Sequence, residues 1–252
     1  MSSAFDAMKI SIVTVTYNCV ATIGDTLRSV ASQTYPDIEH IVIDGGSTDG
    51  TLQTIESHRT RVSCLISEPD NGIYDAMNKG IARASGDLVG FLNADDVLAS
   101  ADAITCIAEA ARDGVDAVYG DLVYVRTTNL DKVVRRWRSG AFARDRLRFG
   151  WMPPHPTFYV RTALLRDIGG FDDGLRVAAD YDLMLRCLMR PGLRIAYVRS
   201  VLVRMRLGGA SNASSSALQR KSREDLVVMR RHGIGGWFTL LSKNVRKLPQ
   251  FF

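Results

Sequence analysis

The stretch from Ile10 to Thr16 reads ISIVTVT, and it decides how the first half of the chain folds. Its residues are β-branched or apolar almost throughout, which is typical of a strand covered on both faces. A helical pattern follows over residues 22–34, where Ile23, Leu27 and Val30 recur at helical spacing. A buried strand followed by an amphipathic helix is the repeating unit of a parallel sheet with right-handed crossovers.

The alternation of strand and helix continues through the first hundred residues. The sequence predicts further strands at 39–44, 62–67 and 88–93, and further helices at 48–57, 73–84 and 101–112. The later predicted elements are strands at 116–125, 132–138, 157–160 and 201–206 and a helix at 180–189. We therefore expect one α/β domain over residues 8–210, with a mixed, mostly parallel central sheet, and a helical tail over residues 211–252.

The composition is that of a globular protein. Of the 252 residues, 46% are hydrophobic and 23% are charged, which excludes a disordered chain. The longest apolar stretch is too short for a membrane helix, and the opening MSSAFDAMKI predicts no secretory signal. The four cysteines lie far apart and form no CxxC pair, so we expect neither a structural zinc site nor a disulfide framework. A reducing cytoplasm fits this pattern best.

The net charge of +5 is unevenly distributed along the chain. Residues 199–252 carry eleven Lys or Arg side chains and only two acidic ones, Glu224 and Asp225, whereas residues 1–198 carry a slight negative excess. Anionic lipid, nucleic acid, phosphorylated ligands and a plain solvated face each explain a basic tail. Because no nucleic-acid-binding motif accompanies these cations, we expect no nucleic-acid partner.

Polar clusters follow the first four predicted strands at their carboxyl ends. They are Thr16-Tyr17-Asn18, Asp44-Gly45-Gly46-Ser47, Glu68-Pro69-Asp70-Asn71-Gly72 and Asn93-Ala94-Asp95-Asp96. Turn and helix-cap chemistry explains any one cluster by itself. Four of them at one edge of a parallel sheet favour a ligand site, because ligands bind beyond the carboxyl ends of such strands.

Two adjacent carboxylates, Asp95 and Asp96, form the most specific of these clusters. They repel each other unless a cation or protonation relieves them, and the alternative interpretation is an N-cap for the next helix. Hard oxygen ligands suit Mg²⁺ or Mn²⁺ shared with a diphosphate. The chain has no Walker or dinucleotide fingerprint, so neither ATP hydrolysis nor NAD chemistry has support.

Four motifs in this order resemble the family-2 glycosyltransferases of the Rossmann-like GT-A fold. They are VTYN at 15–18, VIDGGSTDGT at 42–51, FLNADD at 91–96 and AADYDLMLR at 178–186. EPDNGIYDAMNKGIA at 68–82 further resembles a bacterial branch that builds exopolysaccharides, O-antigens and cell-envelope glycolipids. The resemblance covers residues 9–210. It implies an inverting, metal-dependent transfer of a sugar from a nucleotide-diphosphate donor to a lipid-linked saccharide or glycolipid.

The resemblance also implies which residues bind the donor. The donor-binding residues would be Thr16, Tyr17, Asn18, Asp44, Asp70, Lys79, Asn93 and Arg206. Tyr17 and Asn18 would border the base, and Asp44 would accept a hydrogen bond from the base or the ribose. Asp70 and Lys79 would meet the ribose or the phosphates, and Arg206 would begin a loop that covers the diphosphate. For the turn at Asp70, a purely structural role is an equal alternative.

Catalysis and metal binding would fall to a second set of residues. Asp180 would be the general base, because a carboxylate removes the acceptor hydroxyl proton as the oxygen attacks the anomeric carbon. Ala179 replaces the Glu that usually precedes this Asp, and Asn93 replaces the first Asp of the family's D-x-D motif. Asp95 and Asp96 would hold the Mn²⁺ or Mg²⁺, with His155 as a third candidate ligand.

The tail predicts an amphipathic helix at 237–248. Trp237, Phe238 and Leu241 share one face with other apolar residues, while Lys243, Arg246 and Lys247 fall on another face. This pattern is typical of a helix in a membrane interface, which would place the protein on the inner face of the cytoplasmic membrane. A helix docked on the domain, or on a second subunit of an oligomer, has the same pattern.

Two other functions remain open from the residues alone. A nucleotidyltransferase would also need carboxylates and a metal, although VTVTYNCVATIG is a poor match to its triphosphate loop. A non-catalytic sugar-nucleotide-binding scaffold would account for Asn93 and Ala179 as lost functional residues.

Overall fold

A nine-stranded mixed sheet forms the centre of the fold in a computed structural model of the protein. The structure describes residues 8–208 and 215–246, although not the side chains of residues 215–218. The first half alternates strands and helices: β1 (Ile10–Thr16), α1 (Ile23–Ala31), β2 (Ile38–Asp44), α2 (Thr51–Ser57), β3 (Val62–Ser67), α3 (Ile73–Arg83) and β4 (Leu88–Phe91). The second half contains β5 (Val97–Leu98), α4 (Ala103–Ala110), β6 (Ala117–Arg126), β7 (Asn129–Trp137), β8 (Tyr159–Arg161), α5 (Thr162–Asp167), α6 (Ala179–Leu188), β9 (Ile195–Arg206), α7 (Ser215–Arg231) and α8 (Trp237–Val245). Short 3-10 turns lie at Arg59–Arg61, Arg144–Phe149 and His155–Thr157.

The strands are ordered β3-β2-β1-β4-β8-β6-β9-β5, and β7 pairs with the free part of β6. The four strands of the first half run parallel to one another, as do β6 and β9. Strand β8 is antiparallel to both of its neighbours, and β5 and β7 are antiparallel to theirs. The expected α/β fold with a mixed central sheet is confirmed.

The apolar run of β1 is explained by two cores, one on each face of the sheet. Val13 packs with α3 in one core, and Ile12 packs with α4 residues such as Ile107 in the other. Helix α3 approaches so closely that a Cβ at Gly80 would lie 2.3 Å from a methyl of Val13. Alternate residues of the strand therefore face different cores, and every residue of β1 is buried.

Element ends differ from the prediction where the sheet changes direction. Strand β4 ends at Phe91, two residues early, because the next residues turn away to form β5, which pairs with β9. Strand β9 begins at Ile195, six residues before the predicted start, because it follows β6 past a register shift near Gly120. Strand β5 and helix α5 were not predicted from the sequence. Both are short, and neither has a periodic pattern of its own.

The tail helices pack on the domain. Met229, Ile234 and Leu240 are buried in the same core as residues of α6. Thr239 Oγ1 donates to the backbone oxygen of Arg148 at 2.8 Å, which ties α8 to the turn ahead of it. Residues 247 and 248 of the predicted helix lie outside the described residues, and the boundary at 210/211 stays a prediction. In the described part of the chain, every helix is too short or too polar to span a bilayer.

Candidate active site

The carboxyl ends of β1 and β2 bring the first two polar clusters together. Thr16 and Asp44 are register partners at the last position of the two strands. Asn18 has a φ of 51°, a left-handed conformation that asparagine adopts more readily than most residues. Its backbone N–H donates to Ser47 Oγ at 2.8 Å, and its Oδ1 accepts from the Thr48 N–H at 2.9 Å. The two loops are therefore joined where a ligand would lie.

Asp44 organises the loop after β2. It is fully buried, and its Oδ2 accepts hydrogen bonds from the N–H groups of Gly46 at 3.1 Å and Ser47 at 3.0 Å and from Ser67 Oγ at 2.7 Å. Ser47 Oγ donates to the other carboxylate oxygen. These bonds occupy both oxygens within the protein, and the expected contact of Asp44 with a base or ribose stays a prediction.

Tyr17 and Asp70 both lie close to Gly45. The Tyr17 ring is 62% exposed, and a Cβ at Gly45 would lie 3.5 Å from its Cδ2. The same Cβ would lie 2.4 Å from Asp70 Oδ2, so the carboxylate occupies the space that a larger residue 45 would need. The backbone N–H of Gly72 donates to Asp70 Oδ1 at 2.8 Å and fixes this position. An exposed aromatic ring and a held carboxylate therefore lie next to each other at Gly45.

Lys79 holds the loop that carries Asp70. Its Nζ lies 2.9 Å from Glu68, 3.6 Å from Asp75 and 3.1 Å from the Pro69 backbone oxygen. The hydrogen bond to Glu68 raises the pKa of Lys79, so the ammonium stays charged at neutral pH. Its predicted approach to the ribose or phosphates stays a prediction.

The turn after β4 separates the environments of its two carboxylates. Asp96 is fully buried and accepts from the Arg206 N–H at 3.2 Å and from Asn93 Nδ2 at 3.3 Å. Burial, and then the charge of Asp95, raise its pKa well above the usual range. Asp95 is partly exposed, and no other described residue donates to its carboxylate. Asp95 is therefore the more accessible ligand of the two.

Arg206, at the end of β9, supports this turn from below. Its guanidinium is buried, pairs with Asp25, and donates to the backbone oxygens of Asp95 at 2.6 Å and Thr127 at 3.2 Å. These contacts occupy the side chain in the protein interior. Its predicted contact with the diphosphate stays a prediction, and residues 209–211 of the expected covering loop lie outside the described residues.

Asp95 and Asp96, here called the carboxylate pair, fit a hard divalent cation. No group of three or more His, Cys, Asp or Glu side chains in the described residues forms a ready metal cage. Mg²⁺ and Mn²⁺ need no such cage, because Mg²⁺ typically takes one or two carboxylates and completes its shell with phosphate and water. Asn93 Oδ1 and Thr16 Oγ1 are buried nearby without a hydrogen-bond partner. Unpaired buried polar atoms carry a desolvation cost, which a bound polar ligand would offset.

Asp180 lies in the first turn of α6. Its Oδ1 accepts from the Tyr181 N–H at 2.8 Å and from Tyr74 Oη at 3.4 Å, while no described residue donates to its Oδ2. Burial, and then the charge of Asp180, raise the pKa of Tyr74, which keeps that hydroxyl a hydrogen-bond donor. One carboxylate oxygen is thus held and the other is available.

His155 packs between aromatic side chains near the start of α6 and the end of β4. Its ring stacks on Phe91 at 5.4 Å between centroids and meets the edge of Phe171 at 5.7 Å. Burial lowers its pKa, partly opposed by the charge of Asp180, so the imidazole is neutral at pH 7. Its Nε2 is buried without a partner. The structure does not group His155 with the carboxylate pair as a metal centre, and its role as a ligand stays a prediction.

Asp182 has a structural environment, unlike Asp180 two residues earlier. It is 1% exposed, with Arg186 Nε at 2.7 Å and His232 Nε2 at 2.8 Å. Burial would raise its pKa, but hydrogen bonds from His232 and Arg186 outweigh that effect and lower it. Asp182 therefore ties α6 to the tail and does not face a substrate.

Three residues of the tail near the start of α6 were not among the predicted site residues. Glu224 and Asp225 of α7 and Lys243 of α8 all lie beside the segment that carries Asp180. The one available signal was compositional, because Glu224 and Asp225 are the only acidic side chains in residues 199–252.

The sequence also matches a known protein family over most of the domain. Residues 11–169 match the model of glycosyl transferase family 2. The chain belongs to glycosyl transferase family 2. A PGL/p-HBAD biosynthesis glycosyltransferase from Mycobacterium tuberculosis is 36% identical over 208 residues, which cover 80% of this chain and 78% of that protein. The chondroitin synthase of Pasteurella multocida is 30% identical over 70% of this chain, although the match spans only 18% of the synthase.

Solved structures confirm the GT-A fold of this family-2 glycosyltransferase. The S. aureus TarS 1–349 fragment in complex with UDP-GlcNAc aligns with a TM-score of 0.70 and 22% identity, over 90% of this chain and 66% of that fragment. The mannosyltransferase PcManGT from Pyrobaculum calidifontis, in complex with GDP-Man and Mn²⁺, aligns with a TM-score of 0.67 and 20% identity, over 96% of this chain and 72% of its own. The family assignment selects the transferase over a nucleotidyltransferase.

Proposed function

We propose that the protein is an inverting, metal-dependent glycosyltransferase that moves a sugar from a nucleoside-diphosphate donor to a lipid-linked saccharide or glycolipid. The observation that supports this proposal is that one side chain, His155, contacts the strand ahead of the carboxylate pair and is also influenced by the charge of Asp180. The ring of His155 stacks on Phe91, which ends the strand ahead of the pair, and the charge of Asp180 acts on the same imidazole. These contacts support a general base and a metal site that lie close to each other in the fold.

The donor would bind along the carboxyl ends of β1, β2 and β4. The base would stack on the exposed Tyr17 ring beside Asp70, and the diphosphate would extend toward Asp95. Nucleotide sugars in the complexes of TarS and PcManGT support a donor of this class. A divalent cation held by Asp95, with Asp96 behind it, would neutralise charge that develops on the leaving diphosphate.

Asp180 would act as the base of a single in-line displacement. Its free oxygen takes the proton of the acceptor hydroxyl while that hydroxyl oxygen bonds to the anomeric carbon. The bond from the anomeric carbon to the diphosphate breaks, and its electron pair leaves with the nucleoside diphosphate. One displacement without a covalent intermediate inverts the anomeric configuration. The Tyr181 N–H holds the other oxygen of Asp180, and the Tyr74 hydroxyl lies 3.4 Å from that oxygen.

The base-stacking role of Tyr17 is testable by binding alone. Replacing Tyr17 by Ala should weaken nucleoside-diphosphate binding by about 5- to 150-fold, because stacking one base on an aromatic ring contributes about 1–3 kcal/mol. Calorimetry with UDP and GDP in Mn²⁺ measures the change. Val20→Ala, an exposed apolar residue of the same loop, is the matched control and should bind normally. Equal affinities for the Tyr17 variant and the wild type would show that the ring does not contact the nucleotide.

We also propose that the enzyme contacts the cytoplasmic face of a membrane through an apolar patch on α8. The patch consists of Trp237 and Phe238 (each 69% exposed), Leu241 (63%), Val245 (52%) and the adjacent Phe149 (48%). Phe149 meets the edge of Phe238 at 6.4 Å, so the patch is continuous across two elements. Exposed apolar area of this kind fits a lipid interface, and the glycolipid-related mycobacterial relatives support a lipid acceptor.

Lys243 does not belong to the outer face of α8, contrary to the helical projection. Its Nζ lies 2.9 Å from Asp225 and 3.5 Å from the centre of the Tyr181 ring, facing the domain. Further exposed cations, besides Arg246, lie in the turn that contains Phe149: Arg144, Arg146 and Arg148. These three arginines suit anionic head groups.

Changing Trp237, Phe238 and Leu241 together to Gln should release the protein from anionic vesicles, because the contact loses most of its buried apolar area. The fold should persist, since all three side chains are largely exposed. Co-sedimentation with phosphatidylglycerol vesicles measures the effect. Val133→Gln with Val134→Gln, which removes exposed apolar residues of β7, is the control and should still sediment. Unchanged sedimentation of the triple variant, or its conversion from dimer to monomer, would contradict the membrane contact.

A further inference from the structure

Helix α6 begins without a cap from its own sequence. Ala178 is its N-cap residue and Ala179 its first helical residue, and neither side chain can accept a hydrogen bond. The backbone N–H groups at a helix start need acceptors, and this one carries Asp180. The acceptor comes from a segment more than forty residues away.

Glu224 of α7 supplies an acceptor for the N-cap residue and for the two residues before it. Its Oε2 accepts from the N–H groups of Val177 at 2.8 Å and Ala178 at 3.0 Å, and its Oε1 accepts from the Arg176 N–H at 3.2 Å. One carboxylate thus binds three consecutive backbone donors immediately before the helix. A negative charge at this end also interacts favourably with the helix dipole.

The next residue, Asp225, fixes the position of Lys243, which lies over the residue that follows Asp180. It is buried and binds Lys243 Nζ at 2.9 Å, and that ammonium lies over the ring of Tyr181 at 3.5 Å from the centroid. Glu224 therefore holds the chain before Asp180, while Asp225 and Lys243 hold the ring that follows it.

Tyr74 of α3 also contacts the segment that leads into α6. Its Oη donates to the Val177 backbone oxygen at 2.9 Å and lies 3.4 Å from Asp180 Oδ1. The peptide of Val177 is thus bound on its N–H side by Glu224 and on its carbonyl side by the tyrosine that also contacts the base.

We propose that Glu224 is a positioning residue for Asp180, which makes the C-terminal tail a part of the acceptor side of the site. This inference rests on the proposed role of Asp180 as the base. Proton transfer depends on the direction and distance of the free carboxylate oxygen, and a misplacement of about 1 Å can cost about 10²-fold in rate. Among the described residues, Glu224 accepts hydrogen bonds from Arg176, Val177 and Ala178 and not from β1, β2 or β4, which carry most of the donor side, so we expect donor binding to change little.

Glu224→Gln is the first variant to measure. Glutamine has the same length, but its NH₂ group faces backbone donors, so at least one of the three bonds is lost. We expect kcat to fall by about 10- to 100-fold while the donor Kd stays within about twofold of the wild type. Arg231→Gln is the matched control. It removes contacts of α7 with Asp172 and Asp182 but leaves the three Glu224 bonds in place, and Asp182 keeps its bonds to Arg186 and His232, so kcat should not change.

The same change in an Asp180→Asn background separates positioning from general stability. A residue that acts through the base has no further effect once the base is gone, so the Gln change should then lower kcat by less than about twofold. If Glu224→Gln does not fold, Glu224→Asp, which is one methylene shorter, replaces it in both backgrounds.

Two results would overturn the inference: an unchanged kcat for the single variant, or the same fold-loss with and without Asp180. Failure of the proposed function is a different result. There Asp180→Asn alone would retain full activity.

Discussion

Replacing Asp180 by Asn should lower kcat by about 10²–10⁴-fold and leave donor affinity unchanged, because this is the range for loss of general-base assistance. Asparagine preserves the shape of the side chain and the acceptor for the Tyr181 N–H, so the α6 start stays folded. Steady-state transfer and calorimetric donor binding measure the two quantities separately. Full activity of this variant would show that Asp180 is not the general base.

Asp182→Asn is the control for this experiment, with a different expected effect. Hydrogen bonds lower the pKa of Asp182, so its carboxylate stabilises the fold above the unfolded pKa, and that stability is lost as the pH falls through the lowered value. The variant should unfold at a lower temperature than the wild type at pH 7, with a smaller difference in acid. Transfer by the folded fraction should continue. A selective loss of transfer in this variant would move the base two residues along the helix.

Replacing Asp95 by Asn should lower kcat/KM by at least about 10²-fold, because a metal contributes several kcal/mol of charge stabilisation to the leaving diphosphate. Asp95 is the accessible member of the carboxylate pair, and the change leaves its backbone contact with Arg206 in place. Titration of Mn²⁺ in the presence of UDP should show weaker metal binding.

Asp96→Asn provides the comparison within the same turn. Its carboxylate contacts Asn93 and the Arg206 N–H, so its effect on metal binding should be smaller than that of Asp95→Asn. If Asp95→Asn retained both its metal affinity and its activity while Asp96→Asn lost them, the ligand would be Asp96. Full activity of both variants would contradict metal dependence through this turn.

The first half of the fold was predictable because its signals are local. The strand at Ile10–Thr16 was predicted at both ends, since a continuous apolar run bounded by polar turn residues defines a buried parallel strand. The clustering of Thr16, Asp44 and Asn93 also followed, because parallel strands end at one edge. Such arguments need only the spacing of residues near each other in sequence.

The roles within the site were less predictable, because they depend on contacts between distant segments. Nothing local to Arg206 indicates that Asp25 binds its guanidinium, and the helical projection of α8 could not show that Asp225 draws Lys243 inward. Glu224 was missed for the same reason. Its three partners lie 46–48 residues earlier in the chain.

Sugar transfer to lipid tests whether the protein is a metal-dependent glycosyltransferase that uses Asp180 as its base. Purified enzyme is incubated with Mn²⁺, a mycobacterial lipid extract and a panel of radiolabelled UDP- and GDP-sugars, and incorporation into lipid is counted for the wild type and Asp180→Asn. We expect incorporation from at least one donor by the wild type, its loss in excess EDTA, and a fall of about 10²–10⁴-fold in the variant. Incorporation that continues undiminished in EDTA and in the Asp180 variant would contradict it.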